Sequence, residues 1–342
     1  MLESVFSGQE GVDSRSDGGH DYAALLGGWM GMIDDDVPVT DIVMPGSHDS
    51  GTYGMLFLGE TQSLSFGDQM RSGASYFDVR IRRTGEGELR FYHGILTSEN
   101  GYGDFLSDTV RFLEENPTEF LILDYQHRDP AGDREFDNTL FSMLLDALGE
   151  ERILCAPDGM SDLDYVDSLT LGEARGKVLV TFGADARSTD YDFVMVRDSD
   201  GGTRAGSVLH SPYDERNDVQ SEEYVNRVFG EYIAQYSAYD GGICVLQTQL
   251  FAGNDNGFVP QSMEEVHNPN VTAWIKSCKD DPDLLAALNI IMRDYLTPRK
   301  CIDIIELNKY KNFVAEEHAS AFDALVAADD DIADAIVTDG DL

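Results

Sequence analysis

Lysine is scarce in this chain. Only six of its 24 basic residues are lysine, against 64 acidic residues, and the net charge is −40. That balance argues against a nucleic-acid partner, because holding a phosphate backbone takes a basic face. An anionic membrane would repel the chain unless the salt concentration is high. The excess of Asp fits either adaptation to high salt or plain high solubility. Cysteine is rarer still: Cys155, Cys244, Cys278 and Cys301 lie far apart with no C-x-x-C pair. This spacing argues against a zinc site and against a disulfide scaffold. Cys244 and Cys301 sit in apolar runs and read as core residues. No apolar stretch approaches the ~18 uncharged residues of a spanning helix. Residues Met1 to Tyr22 are polar, with no apolar core of a secretory signal. The location stays open between the cytoplasm and, if a leader has been trimmed away, the cell exterior.

What the chain does have is material for a core: 42% hydrophobic and 10% aromatic residues over 342 positions. That length suits one large barrel or two ordinary domains. The hydrophobic pattern predicts strands at Asp41–Met44, Ala74–Arg82, Leu89–Tyr92, Phe120–Tyr125, Lys177–Phe182, Gly242–Leu250 and Cys301–Leu307. It predicts helices at Tyr102–Glu115, Phe136–Leu148, Glu222–Tyr236, Leu284–Tyr295 and Phe313–Ala327. Short strands alternating with helices, without a break or a repeat, predict the α/β class and a single irregular (β/α) TIM barrel over 26–328. A polar N-terminal extension (1–25) and an acidic C-terminal tail (329–342) flank it. Barrel sites lie where strands end, so the polar residues just after each strand carry the functional question.

After the first strand the chain reads Pro-Gly-Ser-His48-Asp49-Ser-Gly-Thr. Glycines and small hydroxyl residues around the pair leave room for close approach of a ligand. In Tyr76 to Arg82, strand alternation places Asp78, Arg80 and Arg82 on one face and Phe77, Val79 and Ile81 on the other. In a barrel the polar face would point inward, where a charge must be paired or serve a ligand. A structural Asp–Arg pair satisfies that demand, and so does a phosphate site, since the Arg fork fits phosphate. The next hairpin arm ends at His93-Gly94. Two histidines, an arginine and two aspartates on neighbouring strand ends suffice for phosphodiester cleavage: one ring takes a proton, the other gives one, and Arg holds the developing charge.

This arrangement, with Gln62-Ser-x-Ser-Phe-x-x-Gln-Met-x-x-Gly-x-x-Tyr-Phe-Asp-Val-Arg80, Tyr92-His-Gly and Phe112-Leu-x-x-Asn-Pro-x-Glu-Phe-Leu-Ile-Leu, resembles the X domain of phosphatidylinositol-specific phospholipases C. It is most similar to the bacterial, single-domain form. The dense part of the resemblance runs from Val39 to Asp124, about a quarter of the chain.

The resemblance implies a distorted TIM barrel and a two-step reaction. His48 would take the proton of the inositol 2-hydroxyl, and His93 would protonate the leaving diacylglycerol oxygen. Asp49 would orient His93 and Arg80, and Asp78 would fix the phosphate-side network. A cyclic inositol phosphate would result, which water would open in a second, slower step. Animal members hold Ca²⁺ with acids on this strand, whereas bacterial members carry an Arg. Arg80 therefore implies no metal and no cofactor, since a fixed guanidinium repels a cation. The family's acid behind the base histidine maps best onto Glu306, with Asp303 as the alternative. For the headgroup, the basic residue ending the Phe120–Tyr125 strand is replaced by His127 or Arg128. Tyr224 is a candidate for stacking on the sugar ring. Its neighbour Ser221 stands where the family has Asp, and nothing basic follows Phe182 before Arg187. The expected partner is a lipid phosphodiester; Trp29 and Met30, or Phe251, Phe258 and Trp274, are candidates for transient membrane contact, with burial the favoured role for each. A same-fold enzyme acting on another lipid or soluble phosphodiester, and a headgroup-binding barrel without catalysis, remain as alternatives.

Overall fold

The computed structural model describes residues 22–183, 189–198, 204–213, 222–249 and 259–328. Eight parallel strands run in sequence order around a ring: β1 (Met44–Ser47), β2 (Tyr76–Arg83), β5 (Leu121–Asp129), β6 (Val178–Phe182), β7 (Val194–Val196), β8 (Leu209–His210), β9 (Ile243–Gln247) and β10 (Ile290–Arg293). β10 pairs back onto β1, and a single parallel bridge between Arg197 and Leu209 joins β7 to β8. The fold is thus a single, irregular TIM barrel, nearly closed, with its weakest seam at β7/β8. A hairpin, β3 (Leu89–His93) and β4 (Leu96–Gly101), folds back antiparallel on β2.

The alternation read in β2 sorts its side chains as expected. Phe77 packs at a tilt against Phe105 of the Tyr102–Glu115 helix, in the layer between sheet and helices. Tyr76 and Asp78 point the other way, into the barrel, where the Tyr76 hydroxyl donates to Asp124 at 2.6 Å. The same parity holds in β5. Tyr125 faces the helices through Tyr102 and Phe141, while Asp124 is held inside by Tyr76, Thr181 and Arg197. A register shift after Val79, where Arg80 pairs with His127 instead of Gln126, marks a bulge in β5. Bulges re-aim side chains at barrel rims, and this one delivers the Gln126 amide to Arg80.

Several elements differ from the sequence reading. β1 starts at Met44 and runs through Pro45-Gly46, because Gly46 has no side chain to collide with Ile290 and Tyr76 on the flanking strands. The Leu284–Tyr295 segment is a short helix (Pro282–Ala287) followed by β10, not one helix. The Cys301–Leu307 segment is the reverse case. It lies in a helix, Pro298–Ile305, started by the Thr297 hydroxyl and a first-turn proline. That helix is buried on two sides, with Ile302 and Ile305 in the main core and Ile304 in a second apolar cluster. Over the seven residues Cys301–Leu307, with Asp303 and Glu306 among apolar side chains, periodicity alone cannot distinguish a helix from a strand. The last helix is Ala319–Val326, shorter than expected, whereas Tyr102–Glu115 and Glu222–Tyr236 have the expected bounds. The N-terminal extension up to residue 21 and the acidic tail lie outside the described residues. Tyr22–Gly27 is a helix whose Leu25 and Leu26 are buried. No helix among the described residues is long and apolar enough to cross a membrane.

Candidate active site

His48 lies one residue beyond β1, and its ring Nδ1 is 2.6 Å from Asp294 Oδ1. Asp294 follows β10, the strand hydrogen-bonded to β1, so the pairing of two neighbouring strand ends brings the imidazole and the carboxylate together. A carboxylate can only accept, so the proton sits on Nδ1 and the lone pair is left on Nε2. Burial pushes the His48 pKa down. Asp49 and then Asp294 more than offset that, against opposition from Arg80, and the group ends above its ordinary 6.5.

Asp49 joins the whole cluster. Its Oδ1 lies 2.7 Å from Arg80 Nε, and its Oδ2 lies 3.3 Å from His48 Nε2 and 3.7 Å from His93 Nε2. To reach those three partners its backbone adopts φ +45, a left-handed value that costs an L-residue energy and is over-represented at functional sites. The Asp49 amide donates to Asp78 Oδ2 at 3.1 Å, which supports the turn. Arg80 Nη2 contacts Asp78 Oδ2 at 2.7 Å and Gln126 Oε1 at 2.8 Å. It also lies 3.3 Å from His48 Nε2. Burial alone would raise the Asp78 carboxyl, but Arg80 and then His48 hold it below its usual range.

His93 closes the far side. Its Nδ1 donates to the Gly59 carbonyl at 3.0 Å, which leaves Nε2 facing Asp49 and the open mouth. The His48 loop reaches this hairpin because position 51 is glycine. A Cβ there would stand 2.0 Å from the Phe91 ring of β3. Among the described residues, one group of potential metal ligands brings its donor atoms within 4.8 Å: His48, Asp49 and Asp78. The guanidinium of Arg80 already lies against both carboxylates, so a cation would have to displace it.

Five expected residues are therefore brought together: His48, Asp49, Asp78, Arg80 and His93. His127 lies beside Arg80 in register and acts electrostatically on Asp78, so it stands at the same mouth. Three expectations are corrected. Glu306 ends the Pro298–Ile305 helix and accepts from the Tyr310 hydroxyl at 3.0 Å, while Asp303 pairs with Arg299 and Lys276. Neither lies behind His48, and the acid in that place is Asp294. Arg128 points to the helix layer, with Nε 2.7 Å from Asp137 Oδ1 and its guanidinium over Phe182. Tyr224 is buried in the apolar cluster of the Glu222–Tyr236 helix, with Val225 and Phe229. Trp29, Met30 and Trp274 are buried, the role favoured for each of them over membrane contact. Phe251, Phe258, Arg187 and Ser221 lie outside the described residues. The exposed apolar residues near the site are instead Leu56, Phe57 and Leu58, just before Gly59, and Ile95, two residues after His93.

Sequence reasoning missed Asp294 and Gln126. The signal for Asp294 was present in the β-branched pair Ile290-Ile291 followed by Arg293-Asp294, the pattern of a strand opening into a polar end. Gln126 became visible only through the bulge.

No family model matches the chain. It is 32% identical over 100 residues to the 1-phosphatidylinositol phosphodiesterase of Staphylococcus aureus (strain Newman), covering 28% of this chain and 32% of that one. With the Listeria monocytogenes protein of the same name it shares 26% over 112 residues, 31% of this chain and 34% of the other. The human PI-PLC X domain-containing protein 3 matches at 27% over 137 residues, 30% of this chain and 42% of that one. The chain thus spans about a third of the length of the curated relatives it first matches. In fold the coverage is wider. The phosphatidylinositol-specific phospholipase C from L. monocytogenes superposes with a TM-score of 0.62 at 17% identity, covering 83% of this chain and 98% of that one. A doubly substituted S. aureus enzyme of that name gives 0.61 at 20% identity, covering 81% and 92%. The chain has the barrel of the bacterial phosphatidylinositol-specific phospholipases C and is similar in sequence, over part of its length, to proteins named 1-phosphatidylinositol phosphodiesterase.

Proposed function

We propose that this chain is a metal-independent phosphodiesterase of the phospholipase C type, which cleaves the glycerol-phosphate bond of phosphatidylinositol-type lipids. The observation that carries this reading is Asp49 lying between the reactive nitrogens of two histidines, with Arg80 beside it. His48 Nε2, with its lone pair fixed by Asp294, takes the proton of the inositol 2-hydroxyl. The freed oxygen attacks the adjacent phosphorus, and the bond to the glycerol oxygen breaks. His93 Nε2 gives that leaving oxygen its proton. Arg80 stabilises the charge that grows on the non-bridging oxygens, in a site whose donors are already oriented. The products are diacylglycerol and a cyclic inositol phosphate. Because the nucleophile belongs to the substrate, the enzyme supplies acid, base and charge stabilisation and needs no covalent residue.

The role of Arg80 supports metal independence: a fixed cation already does electrostatically what Ca²⁺ would do. The exposed Leu56, Phe57 and Leu58 support a lipid substrate, since the loop that carries them also holds His93 through the Gly59 carbonyl. An apolar rim can enter an interface without the basic charge this chain lacks. The test is turnover of phosphatidylinositol in neutral micelles by His48→Ala and His93→Ala. Each should lose at least about 10²-fold in kcat. Turnover that survives both substitutions contradicts the assignment.

A further inference from the structure

Behind Asp294 lies a buried charge pair that the reaction does not use. Lys300, in the first turn of the Pro298–Ile305 helix, has a side chain only 10% exposed. An ammonium has three donors, and here all three find acceptors. Nζ contacts Glu264 Oε1 at 2.5 Å, the Asp294 carbonyl at 3.0 Å and the Tyr295 carbonyl at 2.7 Å. Glu264 belongs to a different helix, Pro260–Ser277, and its other cationic neighbour is Arg293, with Nη2 3.6 Å away.

The two carbonyls that Lys300 grips flank the turn that aims Asp294. Tyr295 has φ +46, an unfavourable value for a tyrosine. The turn is held from the other side by Thr61, whose carbonyl accepts from the Tyr295 amide at 2.7 Å. Gln62 bonds the carbonyls of His48 and Arg293 and accepts from the Leu296 amide. A strained turn persists only where its surroundings over-determine it. Here the neutral side is Thr61 and Gln62, and the charged side is Lys300.

We infer that Lys300, neutralised by Glu264, is a positioning residue that fixes the Asp294 carboxylate on His48 and so sets the proton affinity of the base. The inference rests on the functional reading above only for its kinetic consequence. The groups that face His48 are Asp49, Arg80 and Asp294, with Asp78 behind Arg80. Of these, only Asp294 has its backbone carbonyl on Lys300.

The test is Lys300→Met, which removes the clamp and leaves Glu264 paired with the buried Arg293. Two readouts are taken: the His48 ring titration by NMR in substrate-free protein, and the pH profile of phosphatidylinositol turnover. Loosening Asp294 removes the interaction that favours charged His48. The ring titration and the acid limb of kcat/KM should therefore move together to lower pH. The expected loss in kcat is about tenfold, with KM within about twofold, the cost of a small misplacement at a reacting group. An unchanged ring titration with unchanged kcat overturns the inference. If Lys300→Met does not fold, Lys300→Arg carries the same readings, because a planar fork cannot reproduce a tetrahedral three-way contact. A wild-type protein without turnover would sink the functional reading, while the ring titration would still decide the clamp.

Discussion

His48 Nδ1 and Asp294 Oδ1 stand 2.6 Å apart across the join of β1 and β10, which are 246 residues apart in sequence at that point. The contact sets both the tautomer and the charge preference of the base. Asp294→Asn keeps the shape and loses the charge, and an amide nitrogen facing Nδ1 would favour the wrong tautomer. The expected outcome is a kcat drop of about 10²–10⁴-fold. Base catalysis needs neutral His48, so in the wild type kcat/KM should rise with pH through a value above the ordinary 6.5. In the variant any residual acid limb should lie at lower pH. A pH series of initial rates on both proteins checks this.

Arg80 is a fork, not just a charge. Nε serves Asp49, while Nη2 serves Asp78 and Gln126. Lys at this position keeps the charge but can meet only part of that set. Arg80→Lys should lower kcat by about 10²-fold or more, in the range found when one oriented donor is removed from a transition state. Added chelator should leave the wild-type rate unchanged. Steady-state rates with and without chelator measure both effects.

Gly51 is a packing requirement. A methyl group there would overlap the Phe91 ring at 2.0 Å, so either the His48 loop or the β3 arm must move. Gly51→Ala should cost about 1–3 kcal/mol, typical of overpacking. It should also lower activity, because the two elements it separates carry His48 and His93. Chemical denaturation alongside rate measurement separates the two losses.

Glu119 offers a test far from the chemistry. It is buried at the foot of β5 and accepts from the Met30 amide at 3.0 Å. Burial raises its carboxyl from 4.5 to about 8, against the pull of Thr118 and the Met30 amide. A carboxyl raised in the folded state keeps its proton there longer than in the unfolded chain. Its contribution to stability is therefore present below pH 4.5 and is lost as pH rises to about 8. Over that window the loss is bounded by about 5 kcal/mol. Glu119→Gln does not ionise. It should be no more stable than the wild type at acid pH and clearly more stable in mild alkali. Thermal melts at both ends of the window show whether the order reverses.

Much of the site was legible because it sits on one local stretch. His48, Asp49, Asp78, Arg80 and His93 fall within 46 positions on two strand ends and a hairpin, where period-two alternation and glycine placement are strong signals. The late half was harder to read for a physical reason. β10 is four residues long and the Pro298–Ile305 helix eight, and both are largely buried, so each is too short for its period to separate helix from strand. Helix and strand were exchanged there, and the acid behind His48 was sought at Glu306 instead of Asp294. Arg128 faces outward because of the bulge in β5, which shifts the facing of the residues beyond Tyr125 and cannot be seen in composition. Tyr224 was a different case, since a tyrosine near a helix start fits the core as well as it fits a ligand.

His48 and His93 are proposed to cleave a phosphodiester by using a hydroxyl of the substrate itself. Phosphorus NMR of the protein with phosphatidylinositol in neutral detergent micelles, with chelator present, tests it most directly. The account predicts the resonance of a five-membered cyclic phosphodiester, growing with wild-type protein and absent with His48→Ala. Product that forms only after Ca²⁺ is added, or an acyclic phosphate released without a cyclic precursor, would contradict it.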